Sequence, residues 1–157
     1  MKDFINEFYV TLETSEKKFR AVTEEESTRK PAPGKWSQKE ILGHLIDSSI
    51  NNIRRIVAGQ LQNNLVFQGY QQNEWVRLQN YQNAEWKFLI DLWKLNNLHF
   101  IGIVKEISPE VYTKQFPEHN FDQILSEKFE KEKPVTLEDL IRDYLLHMKH
   151  HINQIVM

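Results

Sequence analysis

The chain has 157 residues, 40% of them hydrophobic and 27% charged, which suits one domain with a real core and excludes collagen-like or largely disordered chains. Its formal net charge of −2 gives no general pull toward nucleic acid or an anionic membrane. It has no cysteine, which excludes disulfides, thiolate ligands and a cysteine nucleophile, so any thiol chemistry must bring its sulfur from outside.

The N-terminal MKDFINEFYV lacks the basic start and apolar run of a signal peptide. No apolar stretch approaches the ~20 residues that span a bilayer. The expectation is a soluble, cytoplasmic protein in one domain over 1–157.

Four helical segments follow one another. The first runs from about Asp3 to Glu24. Its residues Phe4, Phe8, Leu12, Phe19 and Val22, with small Ser15, recur at spacings of three and four and predict one buried face. Pro31, Pro33 and Gly34 make a turn before the second helix. Ser37 caps that helix and Glu40 completes a capping box, with Trp36 placed to staple the first turn. The helix runs to about Gly59.

Gln60 to Asn73 read as a loop, since the Gln/Asn run is short and broken by apolar residues. A third helix, long and aromatic-rich, is expected from Glu74 to Glu106, ended by Ser108-Pro109. Residues 109–134 are irregular, with Phe121 to Phe129 open to either a short strand or a turn of helix. The fourth helix starts at the cap Thr136, with Glu138 and Asp139 in its first turn.

The chemistry concentrates in DYLLHMKHHINQIV. His147 and His151 are four residues apart on a helix, so they share a face about 6 Å apart along the axis. Two imidazoles at that spacing can reach one ion at ~2.0–2.1 Å. They continue the stripe Leu140–Tyr144–His147–His151–Ile155 and point inward, whereas His150 lies off it. The pair alone is equally well a hydrogen-bonded couple of core histidines. A third candidate, His44, lies on a face of helix two that turns polar along Ser48, Asn51, Asn52 and Arg55.

His44 is near the start of its helix and the pair is near the end of theirs. They meet only if helices two and four are antiparallel. That requires an all-α, up-down-down-up four-helix bundle with a long crossover between helices two and three. The fourteen residues Gln60 to Asn73 could span roughly 45 Å at about 3.3 Å each, more than the length of helix two.

The segments PGKWSQKEILGHLIDSSINNIRRI, FQGYQQNEWVRLQNY and TLEDLIRDYLLHMKHHINQI resemble the DinB-like four-helix bundle superfamily, which includes the bacillithiol transferases. The resemblance covers nearly the whole chain. It implies a bundle of that topology, often a homodimer, with a divalent metal on His44, His147 and His151. It also implies metal-dependent transfer of a low-molecular-weight thiol to an electrophilic small molecule.

Three imidazoles leave ligand positions open, as catalytic rather than structural sites do. Zinc and nickel both accept imidazole. Two rival readings stay open: a hydrolase using a metal-bound water, and a non-catalytic metal-binding dimeric module. Neither nucleic acid nor membrane is expected as a partner.

Asp47, one turn after His44, reads as a carboxylate that orients an imidazole or acts as a base, or equally as a solvated helix residue. Arg55 reads as a surface ion-pair residue or, in the alternative, as a binder of a carboxylate on an anionic thiol. Tyr70 and Trp75 match the family's crossover and read as the mouth of a site or as ordinary packing. His99 is a possible fourth ligand, His119 a loop residue without a role, and Glu127 to Lys133 a solvated run.

Overall fold

The computed structural model describes residues 1–155. Helices α1 (Lys2–Ala21), α2 (Glu24–Thr28), α3 (Gln38–Gly59), α4 (Gln72–Leu78), α5 (Trp86–Glu106), α6 (Pro109–Tyr112), α7 (Phe121–Ile124) and α8 (Leu137–Ile155) follow in order, with no strand among the described residues. The four long helices α1, α3, α5 and α8 correspond to the four expected segments.

Local chemistry sets the helix ends. At Ser37 the hydroxyl accepts from the Glu40 N–H and the Glu40 carboxylate accepts from the Ser37 N–H, the expected reciprocal cap. The first helix stops earlier than expected, at Ala21. Val22 turns extended and Thr23 forms its own capping box with Glu26, starting α2. Thr136 and Asp139 cap α8 in the same reciprocal way.

The expected continuous helix from Glu74 to Glu106 is instead two helices. Asn80 takes a left-handed conformation at φ 56°, and a 3-10 turn spans Tyr81–Asn83. Asn tolerates that region because its short polar side chain bonds locally, here accepting from Asn83. Tyr81 is buried in that turn.

The open question at 121–129 resolves as one turn of helix, α7. Two isolated bridges, Leu65 with His119 and Phe116 with Val135, pin the irregular connections. The Asn120 side chain bonds both backbone groups of Phe67, tying the crossover to the 116–120 segment.

In the bundle, α3 packs on α5 and α8, and α1 packs on the other side of the same two. Direction follows from the contacts. Glu24 receives both Lys39 at the start of α3 and the Trp86 N–H at the start of α5, so those helices run in parallel. Phe19 meets Trp93 while Phe8 meets Phe100, so α1 opposes α5. Gln38 at the start of α3 bonds the Ile155 carbonyl at the end of α8, so these two are antiparallel. The result is the up-down-down-up bundle that the crossover makes possible.

The apolar stripe of α1 buries Phe4, Phe8, Leu12 and Phe19 against Trp86, Trp93, Phe100 and Tyr144. Each such side chain contributes about 1.5–3 kcal/mol by leaving water. The face of α3 differs: it buries His44, Asp47, Ser48, Asn51, Asn52 and Arg55 among its apolar residues.

Candidate metal centre

The antiparallel pairing of α3 and α8 brings His44, His147 and His151 together. One ring nitrogen from each lies within 4.8 Å of the others. His44 Nε2 is 3.2 Å from His147 Nε2. A tetrahedral ion with bonds of ~2.0–2.1 Å has nitrogens about 3.3 Å apart, so that edge is already set.

Outer contacts fix the rings. His151 Nδ1–H donates to Gln154 Oε1 at 2.8 Å, which leaves Nε2 bare. Ser48 Oγ lies 3.4 Å from His147 Nδ1. The Trp36 ring lies tilted over His44 on the helix that it precedes, 5.2 Å between centroids.

Electrostatics favours uncharged ligands. Burial first, then the neighbouring imidazoles, pushes His44 and His147 down to about 3. Burial also lowers His151, partly opposed by its bond to Gln154. Three neutral imidazoles are the donor set a zinc- or nickel-like ion takes. The buried His44 Nδ1 has no partner among the described residues.

The remaining expected residues separate. Asp47 is fully buried, not solvated. Its Oδ1 accepts from the Tyr81 hydroxyl at 2.7 Å and from Gln79, and its Oδ2 has no partner. Its hydrogen bonds thus run to the 79–81 break, and none goes to an imidazole. Burial raises its pKa.

The surface ion-pair reading of Arg55 is wrong. The side chain is 7% exposed. It forms no ion pair with any described residue. It lines a chamber of about 150 Å³ with Ser48, Asn52, Tyr70, Asp143 and His147. Tyr70 closes part of that chamber, its hydroxyl pushed up to about 12 by burial and its ring 4.8 Å from Trp75.

His99 is exposed on α5 and lies outside the cluster, so it is no fourth ligand. His119 is buried rather than loose: Nε2–H donates to the Lys133 carbonyl and Nδ1 accepts from the Phe121 N–H. It pins the connection and reaches no site. His150 is exposed and accepts from Gln154.

Sequence reasoning missed Asp143, Gln79, Tyr81 and Gln154. Asp143 was findable: it precedes His147 by one helical turn, on the same face. Gln79 and Tyr81 were not, because only the helix break brings them to Asp47.

Two solved structures share the fold. YfiT from Bacillus subtilis, described as a probable metal-dependent hydrolase with an unusual four-helix bundle topology, superposes with a TM-score of 0.74 at 18% identity, covering 99% of this chain and 85% of that one. The mycothiol-dependent maleylpyruvate isomerase gives a TM-score of 0.64 at 10% identity, covering 93% of this chain but only 58% of that one. No curated protein sequence matches the chain. A family model for the DinB superfamily matches residues 7–155, and the chain belongs to that superfamily.

Proposed function

We propose that the protein is a metal-dependent enzyme that transfers a low-molecular-weight thiol, of the bacillithiol kind, to an electrophilic small molecule. The observation that carries the metal is the convergence of three uncharged imidazoles within 4.8 Å, with no fourth His, Cys, Asp or Glu in the group among the described residues. Such a set leaves ligand positions open. The thiol rests on the family and on the chamber beside His147.

A metal held there lowers the pKa of a thiol or water presented to it, supplying a nucleophile near neutral pH. The chain's own groups do the rest. Ser48 and Gln154 orient His147 and His151. Trp36 keeps water from one side of His44. Asp47, anchored through one oxygen, offers the other as a base or as a partner to an incoming polar group. Arg55 and Tyr70 hold the co-substrate in the chamber. Zinc or nickel is the expected metal. A homodimer in the cytoplasm completes this reading, on the family resemblance; no helix among the described residues is long and apolar enough to cross a membrane.

The second reading is hydrolysis. It is favoured by the description of YfiT and by the room for water beside His147. The test is elemental analysis of the purified protein, followed by turnover of a chromogenic electrophile by zinc- or nickel-loaded protein with and without bacillithiol or cysteine. Turnover that needs the thiol and vanishes in His147→Ala is the expected result. Turnover with water alone assigns a hydrolase. Bound metal without either activity assigns the non-catalytic module.

A further inference from the structure

Arg55 on α3 and Asp143 on α8 face the same small chamber. Both are more than nine-tenths buried, at 7% and 4% exposed. They carry opposite charges, yet their charged atoms stay more than 4.0 Å apart, beyond ion-pair distance. Two buried opposite charges that face each other across a gap, instead of pairing, are costly unless something spans the gap.

Each group keeps hydrogen-bonding capacity beyond its contacts within the chain. Asp143 is held by the adjoining loop: its Oδ1 accepts from the Ser126 and Glu127 N–H groups at 3.0 and 2.8 Å, and Ser126 N–H also reaches Oδ2 more weakly at 3.2 Å. The Arg55 guanidinium, a five-donor fork, forms no ion pair among the described residues. Burial pushes the Asp143 carboxyl up and the Arg55 guanidinium down, and each group opposes the other's shift.

The chamber is small and matches a compact polar group. A volume of about 150 Å³ equals roughly five waters at about 30 Å³ each. An α-amino carboxylate has five non-hydrogen atoms, one end anionic and the other cationic. Ser48, Asn52, Tyr70 and Tyr144 also line it, as does His147, whose Nε2 faces the histidine cluster.

We propose that the chamber binds the α-amino carboxylate head of a small zwitterion, carboxylate on Arg55 and ammonium against Asp143, so that a short side chain leads toward His147. The ligand class is a free amino-acid thiol of cysteine size. This goes beyond the thiol-transfer reading, since the cysteine carboxyl of bacillithiol is an amide and a zwitterion site selects free cysteine as the thiol; it rests on that reading only for the sulfur.

Calorimetry with L-cysteine and three truncations tests it. Cysteamine lacks the carboxylate, 3-mercaptopropionate lacks the amine, and L-alanine lacks the thiol. On metal-free protein, L-cysteine and L-alanine bind alike, and the two singly charged analogues bind at least ~10-fold more weakly, as loss of one charge-assisted contact implies. Arg55→Met removes the gap between L-cysteine and cysteamine. Asp143→Asn, whose carbonyl still accepts from the 126–127 backbone, removes the gap between L-cysteine and 3-mercaptopropionate.

Equal binding of all four compounds, no binding by either amino acid, or gaps that survive in both variants overturns the proposal. Because the first two of those outcomes are read on wild-type protein without metal, they stand even if a variant misfolds. On zinc-loaded protein, L-cysteine gains over L-alanine. If the gaps hold and that gain is missing, the metal–thiol reading fails while the zwitterion site stands.

Discussion

α1 and α3 flank the same pair of helices, and their buried faces obey different rules. The face of α1 is Phe4, Phe8, Leu12, Ser15 and Phe19, which ask only to leave water. The face of α3 sets His44, Asp47, Ser48, Asn52 and Arg55 among its leucines and isoleucines. His44 Nδ1, Asp47 Oδ2 and Asn52 Oδ1 are buried there without partners. Each such atom costs about 1–3 kcal/mol. The α1 side is thus the part that stabilises the bundle, and the α3–α8 side is the part whose polar cost that stability carries.

The contrast predicts a double dissociation. His147→Ala removes one of three donors and should weaken zinc binding at least ~10³-fold, with little loss of helix content, since a half-buried imidazole leaves little packing behind. Phe8→Ala, in a fully buried ring stacked on Phe100 at 5.6 Å, should cost about 3–5 kcal/mol of stability. The folded fraction of that variant should bind zinc as the parent does. Metal titration and thermal melting of both variants check the pair; a Phe8→Ala protein that folds but loses its metal would break the comparison.

Acid should strike the polar side first. The folded state holds His44 and His147 near 3, whereas unfolded histidines titrate near 6.5. The unfolded chain therefore binds more protons below 6.5. Their contribution is complete above about pH 6.5 and is lost as pH falls toward 3. By pH 5.5 the metal-free protein should be less stable by an amount on the order of 2 kcal/mol. The ion-paired carboxylates Glu16 and Glu24, whose pKa values lie below the usual 4.5, add their loss only in more acid solution. A melting temperature flat from pH 7.5 to 5.5 would show that the histidines are not held neutral by the fold.

The same contrast explains what the sequence disclosed. The stripes of α1 and α8 and the caps at Ser37 and Thr136 are local patterns, each readable within about ten residues. The crossover could be deduced because His44 and the His147–His151 pair could meet in no simpler bundle. Arg55 was misjudged because burial of a charge depends on residues far along the chain that enclose it, here Tyr70 and Asp143. The break at Asn80 was invisible because Gln79 and Tyr81 fit an amphipathic helix as well as they fit a turn. What selects the turn is Asp47, more than thirty residues away.

That long-range selection makes the smallest predicted effect the most informative. Gly43 sits beside His44 on α3, and a Cβ there would stand 2.1 Å from Tyr81 Cδ2 and 2.3 Å from its Cγ. Those are ring-root atoms, so the whole side chain must move. Moving it withdraws the hydroxyl from Asp47 and leaves Gln79 as the remaining donor to that buried carboxylate. Gly43→Ala should therefore cost about 1–3 kcal/mol, even though alanine is the better helix former. Tyr81→Phe keeps the ring and removes only the hydroxyl, at a cost of about 1–2 kcal/mol. If the two effects share a cause, the double variant should lose clearly less than the sum of the singles. Full additivity in denaturant titrations would detach Gly43 from the Asp47 anchor and leave its close contact as packing alone.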